Sequence, residues 1–324
     1  MSGIARPPLS VLSVQSDRLR CRHAGPCDSR ARGQGQRPAL PRARSRRGRP
    51  PRPLFLHGFP ELAFSWRGQL PVLAELGFRA WAPDLRGYGR TDRPQGLAEY
   101  AIEKLMDDVA GLIDASGATE TVLVAHDWGG VIAWYFALRR IRPLSRLIVM
   151  NLPHPAIFER VVRTGWRQRL RSWYVLFFQI PWLPERLFRM RRARLVTEAF
   201  RGMAVDKSRF PEQVLDVYRQ AALEPGALSA MINYYRALVR GGGARRQTSL
   251  GFPRIELPTL MIWGEQDSAL GKELTYGTEA FVPDLTLEYL PHASHWVQQD
   301  APDDVNAILR EWLGAPSSVR QVIR

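Results

Sequence analysis

The chain has 324 residues, of which 45% are hydrophobic, and a formal net charge of +15. This length can bury a large core, and no stretch approaches 18 uninterrupted apolar residues, so the sequence predicts no transmembrane helix. The charge does not indicate a nucleic-acid-binding protein, because it is concentrated in one part of the chain. Residues 1–53 contain thirteen arginines and two acids and carry +11, whereas residues 54–324 carry only +4, as an ordinary enzyme does.

Residues 1–53 form an atypical N-terminal segment rich in arginine and proline. Residues 20–53 show neither a helical nor a strand-like hydrophobic period, so we expect the segment 1–53 to be disordered and to contain no strand. Both cysteines, Cys21 and Cys27, lie in this segment, without a second pair or a histidine cluster that would indicate a metal site. Three interpretations stay open: a targeting segment, an electrostatic arm for nucleic acid or anionic lipid, and a stretch of the gene read in the wrong frame.

From residue 53 onward, short apolar runs alternate with longer amphipathic ones, which is typical of βαβ units around a parallel sheet. The run at 121–125 is fully apolar, as expected for a strand buried on both faces. The predicted strands lie at 53–56, 78–82, 121–125 and 147–150, and the predicted helices at 65–76, 98–116 and 128–139.

The pattern changes at Pro153. Residues 153–245 show only helical patterns, and three consecutive glycines at 241–243 predict a flexible joint. Strand-like runs return at 257–263 and 285–290, before a last helix at 303–313. A helical block inserted between two parts of one sheet predicts a cap at 153–245, so we expect an α/β core formed by residues 54–152 and 246–324.

The sequence Ala-His-Asp-Trp-Gly-Gly at 125–130 joins a buried strand to a helix. Small residues lie two positions before and two positions after Asp127, at 125 and 129, as a nucleophile elbow requires. A carboxylate needs no deprotonation before attack, and the helix N-terminus helps to keep it ionised. It can displace a leaving group at sp³ carbon and form an ester. Water must then attack the ester carbonyl, which requires a general base.

The predicted base is His295, which follows the last strand, and its orienting carboxylate is Asp267. The order of nucleophile, acid and histidine along the chain is that of an α/β-hydrolase. His292 is the rival base and fits a loop residue better. The backbone N–H groups of Phe59, in the turn at 57–60, and of Trp128 are the predicted oxyanion hole.

Other residues have two interpretations each. His126 precedes the nucleophile and is predicted to point away from it in a structural role. Arginines at 186–194 predict a solvated helix face, with a membrane surface as the second interpretation. The candidates for substrate contact, for which ordinary core packing is the alternative, are His57, Trp66, Trp128, Phe178 and Trp296.

With these motifs, the chain resembles the α/β-hydrolase-fold epoxide hydrolases from about residue 54 to its C-terminus. The resemblance rests on His-Gly-Phe-Pro-Glu at 57–61, Asp-Leu-Arg-Gly-Tyr-Gly at 84–89, His-Asp-Trp-Gly-Gly at 126–130 and Ser-His-Trp at 294–296. It implies two cap tyrosines whose hydroxyls hold and protonate the epoxide oxygen. The matching positions are Tyr174 and Tyr235, the latter preferred to Tyr234.

The resemblance implies an α/β-hydrolase fold with a helical cap and hydrolysis of a lipophilic epoxide by water, without a metal or other cofactor. We further expect a cytoplasmic protein with no nucleic-acid partner, and a homodimer as one candidate assembly. A dehalogenase on the same fold is the first alternative. Resemblance to the haloalkane dehalogenases would imply a polar donor in place of Phe59, and resemblance to the fluoroacetate dehalogenases would imply arginines at positions 128, 131 and 134 on the helix after Asp127. This chain has neither feature. A non-catalytic binding protein on this fold is the second alternative.

Overall fold

A computed structural model of the chain describes residues 11–13 and 52–314. One sheet with the strand order β1-β3-β2-β4-β5-β6-β7 forms its centre, and six of the strands run parallel. The strands are β1 Val11–Ser13, β2 Arg52–Leu56, β3 Trp81–Pro83, β4 Thr121–His126, β5 Arg146–Met150, β6 Thr259–Gly264 and β7 Leu285–Leu290. The predicted α/β-hydrolase architecture, a mostly parallel sheet flanked by helices, is confirmed.

Strand β1 corrects the expectation that residues 1–53 contain no strand. It pairs antiparallel with β3, with Val11 opposite Pro83 and Ser13 opposite Trp81. Arg52, the first residue of β2, also falls in the segment that was expected to be disordered, whereas Pro53 begins the strand predicted at 53–56. A three-residue strand is too short to show a period of two, so sequence patterning could not detect it. The remainder of that expectation, including the two cysteines, lies outside the described residues.

Twelve α-helices are formed by the described residues. They are α1 Leu70–Glu75, α2 Ile102–Ser116, α3 Trp128–Leu138, α4 Pro155–Thr164, α5 Trp166–Arg171, α6 Trp173–Phe177, α7 Leu183–Met203, α8 Glu212–Leu223, α9 Ala227–Val239, α10 Gly243–Ser249, α11 Val297–Asp300 and α12 Pro302–Gly314. Short 3₁₀ helices lie at Ala63–Gly68, Leu97–Tyr100, Lys207–Arg209, Lys272–Leu274 and Thr278–Ala280. The predicted helix at 65–76 is split before α1, because Pro71 lacks the N–H that would bond one turn back.

Successive residues of the central strands face opposite sides of the sheet and build two cores. Phe55, Val124 and Ile148 pack with α1 and α12 on one side. Leu56 and Ala125 face the other side, where α2, α3, α7, α8 and α9 lie. Burial of a large apolar side chain contributes about 1.5–3 kcal/mol, so the doubly covered strands form a rigid support for the loops at their ends.

Seven of the α-helices, α4 to α10, lie between β5 and β6, and we call residues 151–258 the helical insertion. The buried guanidinium of Arg236 in α9 holds it together by donating to the carbonyl oxygens of Phe178 and Ile180 and to the carboxylate of Glu185. The predicted flexible joint at 241–243 is instead the short turn between α9 and α10. Gly242, with φ of +72°, caps α10 there.

Within the described part of the chain, no helix combines the length and the apolar character that crossing a bilayer requires.

Candidate active site

Asp127 occupies a tight turn between β4 and α3 at the carboxyl edge of the sheet. Its backbone has φ of +45° and ψ of −119°, a conformation that residues other than glycine rarely adopt. The turn requires glycine at two positions near Asp127. A Cβ on Gly129 would lie 2.2 Å from the carbonyl oxygen of Leu56, and one on Gly58 would lie 2.4 Å from the Asp127 Cβ. These contacts agree with a strained nucleophile elbow.

Substitution of Gly129 by alanine is expected to destabilise the protein by about 3 kcal/mol, because the new Cβ meets the backbone of β2 rather than a flexible side chain. Gly111 is the matched control. It is exposed in α2 with nothing within 4 Å of an added Cβ. There, alanine is expected to stabilise by about 0.5–1 kcal/mol. Urea denaturation of both variants tests the pair, and equal effects would contradict the crowding at the elbow.

The structure brings the three predicted polar residues together. Nδ1 of His295 lies 2.7 Å from Oδ2 of Asp267, and Nε2 lies 3.6 Å from Oδ2 of Asp127. Asn151, which the sequence analysis did not identify, orients this group. Its Nδ2 donates to Oδ2 of Asp267 at 2.9 Å, and its Oδ1 accepts from the N–H of Gly264.

Two carboxylates enclose His295 and set its charge. Burial alone lowers the pKa of a histidine, but the charges and hydrogen bonds of Asp267 and Asp127 outweigh burial and raise the pKa of His295 to about 10. Burial would raise the pKa of Asp127 and of Asp267, yet both pKa values lie below the usual range because of the adjacent imidazolium. The resting site therefore holds an imidazolium between two carboxylates.

The pKa of His295 is expected to fall when Asp127 loses its charge. NMR titration of the histidine ring signals should give a value near 10 for His295 in the unmodified protein. A clearly lower value is expected in Asp127→Asn, because one of the two anions is gone. Since folding raises this pKa, protonated His295 contributes stability that is fully present below about pH 6.5 and is lost as pH rises through about 10. An unchanged pKa in the variant would contradict the coupling.

The N–H of Phe59 donates to Oδ1 of Asp127 at 2.7 Å. Trp128 is the first residue of α3, so its N–H is one of the amides that have no acceptor within the helix. Both predicted oxyanion donors thus flank the carboxylate that would carry the ester.

Aromatic side chains form the wall opposite Asp127. The ring of Tyr235 lies 4.8 Å from that of Trp128, 5.3 Å from that of Phe59 and 6.0 Å from that of Tyr174, between centroids. Tyr234 differs, because its hydroxyl donates to the carbonyl oxygen of Arg86 at 2.7 Å. The geometry therefore agrees with the choice of Tyr235.

Both candidate tyrosines keep their protons. Burial, together with the charge of Asp127, raises the pKa of Tyr174 and that of Tyr235 well above the usual range for a phenol. They can therefore act as hydrogen-bond donors at any ordinary pH.

The residues predicted to contact substrate divide into two groups. Phe178 packs 4.8 Å from Tyr235, and Trp296 lies 4.9 Å from the ring of His295, so both are at the site. Trp66 is fully buried against Phe55 on the other face of the sheet, so its prediction as a substrate contact is wrong.

His57 is the other correction. Its Nε2 accepts from the N–H of Leu85 at 2.9 Å, and its Nδ1 lies 3.0 Å from the carbonyl oxygen of Gly58. Burial lowers its pKa, which favours the neutral ring. Because both ring nitrogens are used within the protein, His57 shapes the turn rather than binding substrate.

A buried polar network lies below the site and was not foreseen. Glu61 is fully buried and accepts from the N–H of Gly58 and from the side-chain amides of Gln298 and Gln299. Its carboxylate also lies 2.8 Å from Nδ1 of His126. Burial would raise the pKa of Glu61, but His126 and the hydrogen bond from the N–H of Gly58 lower it.

His126 has the predicted structural role, although it does not point away from the catalytic residues. Its Nε2 lies 2.8 Å from the carbonyl oxygen of His295, which can only accept, and so it fixes the backbone of that loop. Glu61 could have been recognised as an acid two residues beyond Phe59 in an otherwise apolar turn.

Comparisons with known proteins agree with the fold. The family model described as alpha/beta hydrolase fold matches residues 54–302. Epoxide hydrolase 3 of Xenopus tropicalis is 38% identical over 82% of this chain and 72% of its own length. The AB hydrolase superfamily protein YfhM of Bacillus subtilis is 37% identical over 80% of this chain and 89% of its own.

Among solved structures, the epoxide hydrolase from Bacillus megaterium in complex with an inhibitor superposes with a TM-score of 0.76 at 31% identity. The match covers 83% of this chain and 95% of that one. The fold, the elbow and the relatives define one class: the chain belongs to the α/β-hydrolase fold family and, within it, to the epoxide hydrolases.

Proposed function

We propose that this chain opens a lipophilic epoxide to a vicinal diol through a covalent ester on Asp127. The observation that carries the proposal is the ionised carboxylate of Asp127, held between the N–H of Phe59 and the imidazolium of His295 and facing two protonated tyrosines. Its similarity to named epoxide hydrolases supports the same reaction.

In the first step, Oδ2 of Asp127 attacks an epoxide carbon and the C–O bond of the ring breaks, while Oδ1 stays bonded to the N–H of Phe59 and becomes the ester carbonyl oxygen. The departing oxygen is an alkoxide, so it needs a proton, which the phenols of Tyr174 and Tyr235 supply. Esterification removes the charge of Asp127 and lowers the pKa of His295. The proton that His295 then releases balances the one taken from the tyrosines.

In the second step, neutral His295 takes a proton from water, which attacks the ester carbonyl. The N–H groups of Phe59 and Trp128 stabilise the oxyanion that forms on the carbonyl oxygen. Asp267, fixed by Asn151, stabilises the imidazolium. When the intermediate collapses, the hydroxyl group that came from water gives its proton to the departing diol oxygen. This restores the Asp127 carboxylate beside protonated His295.

The surroundings of Asp127 favour an epoxide over an alkyl halide. A halide leaves as a stable anion and needs no proton, so two phenols aimed at the leaving group would have no role. Phe59 carries no polar side chain that could bind a halide, and the positions on the following helix that would carry arginines in a fluoroacetate dehalogenase hold Trp128, Val131 and Trp134. Hydrophobic rings around the site suit a lipophilic substrate.

The double substitution Tyr174→Phe with Tyr235→Phe is expected to lower kcat/KM for epoxide hydrolysis at least about a thousandfold, because two donors to the departing oxygen are lost. Tyr234→Phe is the control. It removes a hydroxyl bonded to the Arg86 carbonyl and should change stability by about 1 kcal/mol with little effect on turnover.

A panel of aryl, terminal and fatty-acid epoxides, assayed for diol, with haloalkanes assayed for halide, tests the substrate class. Near-normal epoxide turnover in the double variant, or halide release faster than diol formation, would contradict the proposal.

A further inference from the structure

A surface of the helical insertion exposes large apolar side chains outside the active site. Trp166, Trp173 and Trp182 are 65%, 62% and 66% exposed, and Leu170 and Leu176 are 62% and 71% exposed. We call these five residues the apolar patch. So many large apolar groups within residues 166–182 are unfavourable in water and indicate a surface that binds a partner.

The patch is the outer wall of the active site. Trp166, Leu170, Trp173 and Leu176 follow at spacings of four, three and three residues, which places them on one side of the consecutive helices α5 and α6. The other side of α6 faces inward, where Tyr174 packs 6.0 Å from Tyr235. One short helix therefore has a catalytic face and a solvent face.

Arginines surround the patch. Residues 160–195 contain ten arginines and one acid, Glu185. Three acids outside this range, Glu159, Glu198 and Glu273, pair with Arg163, Arg194 and Arg171, so ten guanidiniums and four carboxylates leave a charge of +6. The carboxylate of Glu185 is already bound by Arg236. Arg189, Arg191 and Arg192 are exposed. The partner of this surface must therefore be anionic as well as apolar.

An open cavity of about 320 Å³ lies at the edge of the patch, lined by Val161, Trp166, Arg167, Gln168, Arg171 and Glu273. Glu273 lies 3.6 Å from Arg171 and balances its charge. Arg167 instead lies over the Trp166 ring at 5.6 Å. A cavity lined by a guanidinium, an aromatic ring and the polar side chains of Gln168 and Arg171 is suited to a phosphate-bearing headgroup.

We propose that the apolar patch and its arginines dock on the surface of an anionic phospholipid bilayer. Tryptophans prefer the interfacial region of a bilayer, and arginines near the surface are attracted to its phosphates. A second copy of this chain is a poorer partner, because two surfaces with the same excess of positive charge would meet. Nucleic acid would satisfy the arginines but would leave the aliphatic side chains of Leu170 and Leu176 in water.

Docking would place the wall that carries Tyr174 against the lipid phase, in which lipophilic epoxides dissolve. That consequence rests on the proposed function, whereas the docking itself does not.

The test uses the full chain with Cys21→Ser and Cys27→Ser and one new cysteine that carries a polarity-sensitive fluorophore. Leu170→Cys places it in the patch. Ala115→Cys is the control, because it is exposed at the end of α2, just before β4 and thus at the edge of the sheet opposite the active site. Phosphatidylcholine vesicles with about 30 mol% phosphatidylserine should shift the emission to the blue at position 170 only.

The triple variant Trp166→Ser, Trp173→Ser and Trp182→Ser is expected to bind these vesicles at least about tenfold more weakly in flotation assays. Its thermal unfolding should stay that of the parent, which separates lost docking from lost folding. Residues 1–53 are also basic and are the competing binding segment. Unchanged vesicle affinity in the triple variant would assign the binding to them and not to the apolar patch, and would overturn the proposal. So would the absence of a shift at position 170, or a dimer that shields this position without vesicles.

Discussion

Replacing Asp127 by asparagine is expected to lower epoxide turnover at least about 10⁵-fold, because the amide cannot form the ester through which both steps run. Asparagine has the same shape and tolerates positive φ better than most residues, so the elbow should still fold. The measurement is single-turnover diol formation, with intact mass to confirm that the amide has not reverted to acid.

This substitution also tests a non-catalytic binding protein on the same fold. Such a protein would show no turnover before the change and would keep its ligand affinity after it. Substantial diol formation by the asparagine variant at unchanged mass would exclude Asp127 as the nucleophile.

His295→Gln is expected to separate the two half-reactions. Attack by Asp127 on the epoxide does not need a base, so the ester should still form. Its hydrolysis requires a group that accepts a proton from water, so steady-state turnover should fall about 10⁴-fold. The predicted behaviour is a burst of one equivalent of substrate consumed per active site, followed by almost no diol.

The chain offers a matched control in His292→Gln. That histidine lies in the same loop but is exposed and pairs with Asp304 at 3.0 Å, outside the site. It should hydrolyse epoxide at the normal rate. If His292→Gln accumulated the ester and His295→Gln did not, the assignment of the base would be reversed.

The sequence predicted that Asp127, Asp267 and His295 lie together, because these residues share a simple rule. Each follows a parallel strand, and the carboxyl ends of parallel strands meet at one edge of the sheet. Asn151 follows β5 directly and obeys the same rule. It was missed because an amide side chain does not ionise, so asparagine does not stand out in a sequence as a candidate catalytic residue.

Other features depend on packing that a linear pattern does not contain. Trp66 was a candidate for substrate contact with core packing as the alternative, and the type of a residue does not reveal which face of the sheet its side chain covers. His57 has the chemistry of a binding residue, and only the positions of Leu85 and Gly58 show that its nitrogens are occupied. Strand β1 depends on a partner about 70 residues away.

The central claim is that a covalent ester forms on Asp127, and the most direct test is to locate it. His295→Gln, incubated with excess epoxide and digested, should yield the peptide containing Asp127 with its mass increased by that of the epoxide, at one equivalent per chain. An adduct on any other residue, or a burst of free diol with no adduct on the protein, would contradict the mechanism.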